Sequence, residues 1–126
     1  MSRSASVLLS FALDAALVVT FAAVGRASHD SDVWTGLAIT AWPFLAALVL
    51  GWLIAQAWRA PRALARTGLP VWAMTLAGGM LLRVVSGQGI AVSFVIVAGI
   101  VLAVFLLGWR LIALIVQRAA ARRRAA

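Results

Sequence analysis

No cysteine, lysine or tyrosine occurs in the 126 residues. Without cysteine there is no disulfide, no thiol nucleophile and no thiolate metal site. Acids are scarce too: Asp14, Asp30 and Asp32 stand against eleven arginines, giving a net charge of +8. Charged residues make up 11% of the chain, where an ordinary soluble domain has roughly 25%. Such a basic excess points to nucleic acid when the charges line a folded surface. Here the arginines lie between and after apolar runs, so no nucleic acid is expected, and the partner chemistry is that of anionic lipid headgroups. An all-arginine basic set amid abundant Ala, Val, Leu and Gly also has the look of a GC-rich bacterial coding sequence. No phosphate loop, HExxH motif or nucleophile and base pair is present, so nothing supports enzyme activity or calls for a cofactor.

What the chain has in abundance is apolar length: 65% of residues are hydrophobic and the mean hydropathy is +1.09. A bilayer core of about 30 Å takes about twenty apolar residues at 1.5 Å each. Four segments qualify, Ala5 to Val24, Leu37 to Trp58, Leu69 to Val85 and Ile90 to Val116. The expected architecture is all-α, a single four-helix integral membrane bundle over residues 1–126. A cleaved signal peptide competes for the first segment because Arg3 precedes it. The length of the run, Asp14 near its middle and the lack of a small-residue cleavage site favour a retained span.

Arginine distribution sets the expected orientation, since short loops rich in Lys or Arg stay in the cytoplasm. Arg3, the connection with Arg59, Arg62 and Arg66, and the tail with Arg118, Arg122, Arg123 and Arg124 fall on one side. Both termini are therefore expected to be cytoplasmic in a bacterial plasma membrane, with residues 26–33 and 86–89 outside. Ser31 or Asp32 suits the cap of the second helix, and Thr67 or Gly68 before Pro70 the start of the third. Trp34, Trp58 and Trp72 fall at the two interfaces. Ser86-Gly87-Gln88-Gly89 forces a tight hairpin. Pro43 should kink the second helix and free a carbonyl near Ile39 for another helix, or for a hydroxyl such as Thr40, to satisfy. The fourth span is longer than one crossing needs and should continue toward Arg122.

Sliding the chain on itself by 57 positions, the separation of residues 26 and 83 and of 51 and 108, pairs Arg26 with Arg83. It also pairs Leu50-Gly51-Trp52 with Leu107-Gly108-Trp109. A duplicated helical hairpin, in the parallel-repeat arrangement, is one reading; coincidence in a low-complexity apolar chain is the other.

Asp14 is the sharpest chemical signal, because an ionisable group near the bilayer centre costs at least about 2.5–3.5 kcal/mol on insertion scales. Counted from the cytoplasmic ends of their spans, Asp14 and Arg110 lie about 13 and 9 Å deep, within reach of a long arginine. An Asp14–Arg110 ion pair is one reading, a protonatable coupling site at Asp14 a second, and a neutral hydrogen-bonded acid a third. Ser10, Asp14 and Phe21 share a face of the first helix. Gly99, Ala103, Arg110 and Gln117 share one of the fourth, and Trp72, Leu76, Gly79 and Arg83 one of the third, with Gly78-Gly79 as a close-contact point. Arg26 and Arg83 sit at outer helix ends and call for anions, as lipid phosphates or as a two-arginine anion site. His29 with Asp30 and Asp32 is a weak metal-like trio, better read as a solvated loop.

Leu13-Asp14, Gly25-Arg26, Ser28-His29, Trp42-Pro43-Phe44, Gly51-Trp52, Gly78 to Arg83, Gly87-Gln88-Gly89, Ser93-Phe94 and Gly108-Trp109-Arg110 resemble the signature of the domain of unknown function 3054 family. These are small bacterial, mainly actinobacterial, membrane proteins. The resemblance implies one compact membrane domain and supplies no substrate. Small multidrug exporters are also similar in length and in carrying an acid in helix one, but their glutamate and tyrosine are absent here. Two functional readings follow: a non-catalytic membrane module or accessory subunit, or a small transporter coupled to protons through Asp14. A homodimer or a partner membrane protein fits either.

Overall fold

The computed structural model describes residues 2–27 and 33–125, with side chains except those of residues 26, 27 and 33–35. The four helices are α1 (Arg3–Ala27), α2 (Val33–Ala55), α3 (Leu69–Val85) and α4 (Val92–Ala125), and no strand occurs among the described residues. Each is long and apolar enough to cross a membrane, α3 counting with the helical turn that leads into it. Leucines, isoleucines and valines stay exposed along the outer faces, among them Leu8, Ile54, Leu81 and Ile112. That surface suits lipid, since in water so much contiguous apolar area would drive association.

Neighbours in the chain are neighbours in space, and α4 closes back on α1, so the bundle is a ring in chain order. Two successive hairpins related by an axis along the bundle would produce this order. The two seams between those hairpins nevertheless differ: α2 against α3 is the tightest contact in the ring, and α4 against α1 the loosest.

The tight seam follows from small residues. A methyl group at Gly78 would come within 2.9 Å of the Ala47 Cβ, and one at Gly79 would meet the Phe44 ring. Backbones approach this closely only where side chains are missing. Phe44 fills the space beside Gly79, its ring edge-on to Phe21 at 5.2 Å, with Phe94 of α4 completing the cluster at 6.4 Å.

On α1 the buried stripe is Ser10, Asp14, Val18, Phe21 and Ala22, following helical spacing. On α4 it is Ala98, Leu102, Leu106 and Arg110. This departs from the face expected from sequence: Gly99 and Ala103 are half-buried and Gln117 is exposed. Over the first turns the inward stripe lies one residue earlier, at Ala98 and Leu102, while Arg110 is common to both. The 34 residues of α4 make about 51 Å of helix, well over one crossing.

The connections also differ in detail. α2 stops at Ala55, short of Trp58, because Gln56 takes a left-handed conformation (φ 51°) and the chain turns through a short 3-10 segment, Ala57–Arg59. Leu64–Gly68 forms a π-helical turn that runs directly into α3, so neither Thr67 nor Gly68 caps with a side chain. The Thr67 hydroxyl instead donates to the Ala60 carbonyl at 2.6 Å and ties the connection together. Gly87 and Gly89 adopt positive φ in the α3–α4 turn, where a side chain would be strained. α2 continues through Pro43, and the carbonyl of Ile39, four residues earlier, accepts a hydrogen bond at 3.0 Å from the Gln88 amide. The turn between α3 and α4 thus repairs the break that Pro43 makes in the ladder of α2. The expected caps Ser31 and Asp32, and the His29 trio, lie outside the described residues, as does the Trp34 side chain.

Candidate functional site

Asp14 and Arg110 meet inside the bundle with both side chains fully shielded. The guanidinium donates through both terminal nitrogens, to Oδ1 at 3.0 Å and to Oδ2 at 2.7 Å. This is the bidentate geometry in which arginine holds a carboxylate most firmly. Each oxygen receives a second donor: Trp52 Nε1 reaches Oδ2 at 2.8 Å, and Trp109 Nε1 reaches Oδ1 at 2.8 Å. A carboxylate offers about four lone-pair positions, and all are taken.

Arg110 is equally committed. Its Nε donates to the Pro61 carbonyl at 3.0 Å, and Nη1 also reaches the Leu106 carbonyl at 2.9 Å. Its guanidinium carbon lies 4.6 Å from the centre of the Trp109 ring, a cation–π contact that gains strength away from water. The α2–α3 connection closes over it: a methyl group on Gly68 would come within 3.1 Å of the Arg110 Cδ. Phe11 packs edge-on against the Trp52 ring at 5.2 Å, adding an apolar wall beside Asp14. Two charges taken out of water are tolerated only when paired and hydrogen-bonded to this degree.

The structure therefore brings Asp14 and Arg110 together and adds two tryptophans and a loop carbonyl that sequence reasoning did not assign to the site. A usable signal was present. An indole N–H in an apolar span needs an acceptor, Asp14 is the sole acid within the spans, and the 57-residue shift pairs Gly51-Trp52 with Gly108-Trp109. Trp52→Phe and Trp109→Phe should each lower stability by about 1.5–3 kcal/mol, the worth of a hydrogen bond to a charged group. Trp52 should cost more, since it is buried while Trp109 is half-exposed. Thermal unfolding in detergent checks this, and wild-type melting in both variants would contradict the assignment.

At the opposite end of the bundle Arg83 donates to the Gln88 side-chain oxygen at 3.2 Å and to the Gly89 carbonyl at 3.3 Å, with its guanidinium 4.6 Å above the Phe94 ring. Arg26 lies in the last turn of α1, and its side chain is outside the described set, so no Arg26–Arg83 pairing is assigned. Trp72, expected at an interface, donates to the Gly99 carbonyl of α4 at 2.9 Å. Among the described residues no three His, Cys, Asp or Glu side chains gather as a metal site.

A sequence model of the family described as protein of unknown function (DUF3054) matches residues 11–113. The chain belongs to that family. The matched DUF3054 region contains every side chain of the Asp14 site and the whole of the Arg83 cluster. No curated protein and no solved structure matches the chain.

Proposed function

We propose that this DUF3054 chain is a non-catalytic module of the bacterial plasma membrane, an accessory subunit or lipid-organising element whose helices are braced by Asp14 and Arg110. The observation that carries this reading is the saturated carboxylate: four donors occupy Asp14, leaving no acceptor position for a proton or a substrate. A coupling group must exchange partners during a cycle, and this one is held by α2, α4 and its own burial at once. The arginine-rich ends support cytoplasmic termini and a cytoplasmic 57–68 connection. Those arginines engage anionic headgroups, and a second copy or another membrane protein is the protein partner this reading calls for.

Proteoliposomes separate this reading from proton-coupled transport. With an imposed pH gradient and a panel of organic cations and anions, the wild-type chain should dissipate the gradient no faster than empty liposomes. Solute-dependent dissipation that a folded Asp14→Asn variant abolishes would return Asp14 to the role of coupling group.

A further inference from the structure

The loose seam between α1 and α4 opens as a groove of about 920 Å³ at the end of the bundle that carries the α3–α4 turn. Ligand sites are commonly about 300–1,000 Å³. Phe21, Phe94, Val97, Val101 and Phe105 line its length, and Arg83 stands at its polar end beside Gln88. From Phe94 to Phe105 the groove follows twelve residues of α4, eleven helical rises or about 16 Å. That is about half of a 30 Å hydrocarbon core, the depth of a single leaflet.

We propose that this groove holds one acyl chain of an anionic phospholipid, with the phosphate bound by Arg83. Charge decides the occupant. A guanidinium has five N–H donors; two of those on Arg83 go to neutral oxygens of Gln88 and Gly89, and among the described residues no carboxylate meets it, which leaves donors and the positive charge for an anion. The Gln88 and Phe94 contacts hold the guanidinium at the groove mouth, and Gln88 is itself anchored on the Ile39 carbonyl. A helix from a second copy would fill the apolar length yet bring no acid on the helix itself, because Asp14, the sole acid within the spans, is committed to Arg110, and Asp30 and Asp32 belong to the α1–α2 connection. A phospholipid supplies both parts: a chain for the aromatic and aliphatic walls, and a phosphate for arginine. This assignment is independent of the Asp14 brace, which lies toward the other end of the bundle.

The experiment is native mass spectrometry of the full chain from nanodiscs containing equal phosphatidylglycerol and phosphatidylcholine. Wild type should retain one phospholipid, with phosphatidylglycerol preferred. Arg83→Gln should reduce that preference about tenfold, the equivalent of one charge-assisted hydrogen bond, and Arg83→Lys should keep most of it. Val97→Trp, at a partly open position of the wall, should lower retention of both lipids without changing the ratio. Melting temperatures in detergent show that each variant is folded. Undiminished preference in folded Arg83→Gln would overturn the proposal by placing selectivity at other arginines. Loss of preference in Arg83→Lys equal to that in Arg83→Gln would overturn it by making Arg83 a structural clamp on Gln88. A lipid-free dimer with Val97 in its interface would replace the phospholipid by a second copy.

Discussion

Asp14→Asn should destabilise the folded chain by about 3–5 kcal/mol, because removing one partner of a buried pair leaves the other charge uncompensated. The substitution keeps the shape and one acceptor, but the Arg110 guanidinium then faces a neutral amide in a site with no water access. Arg110→Leu added to Asp14→Asn should recover most of the loss, since an apolar replacement of a buried pair is often tolerated. Recovery will be incomplete, because one of the Trp52 and Trp109 N–H groups meets the amide nitrogen of the new asparagine, and the Pro61 carbonyl loses its donor. Thermal unfolding in detergent, followed by tryptophan fluorescence, reads the effect at the site itself. Equal melting of Asp14→Asn and wild type, or a further drop on adding Arg110→Leu, would remove the brace.

Gly79→Ala carries the second large effect, about 1–3 kcal/mol of destabilisation from overpacking. The new methyl would lie 2.7 Å from Phe44 Cε1 and 3.1 Å from its Cγ, and the ring has no room to withdraw. Phe44 is fully buried and wedged against Phe21 and Phe94. Helix propensity alone favours alanine over glycine by roughly 0.5–1 kcal/mol, so a net loss isolates the steric term. Gly108→Ala is the control: a methyl there meets nothing within 4 Å and should be neutral or mildly stabilising. Phe44→Leu combined with Gly79→Ala should regain stability by vacating the contested space. A Gly79→Ala variant that melts with wild type would mean that the α2–α3 seam can open without cost.

The membrane-length helices were legible because about twenty apolar residues in a row admit few other readings. Gly78-Gly79 was legible as a contact point, and the carbonyl freed by Pro43 was predictable at Ile39 from hydrogen-bond periodicity alone. Which side chain would answer that carbonyl was not, because Gln88 lies 49 residues away and reaches it only through the arrangement of the α3–α4 turn beside α2. On the inward face of α4 Arg110 was placed correctly, but Gly99 and Ala103 were a residue off. With apolar residues on every side of a helix, periodicity does not distinguish a lipid-facing stripe from a protein-facing one.

Asp14 and Arg110 mark the boundary between the two kinds of information. An acid and a base at reachable depths follow from counting along a helix of known rise, as does the need of each for a partner in a medium without water. The saturation of the carboxylate by Trp52 and Trp109, the Pro61 carbonyl folded onto Arg110 and the groove left between α1 and α4 came only from tertiary structure. Composition and local periodicity determine what each helix must bury. Ring order and helix rotation, set by packing among all four, decide which of those buried groups meet.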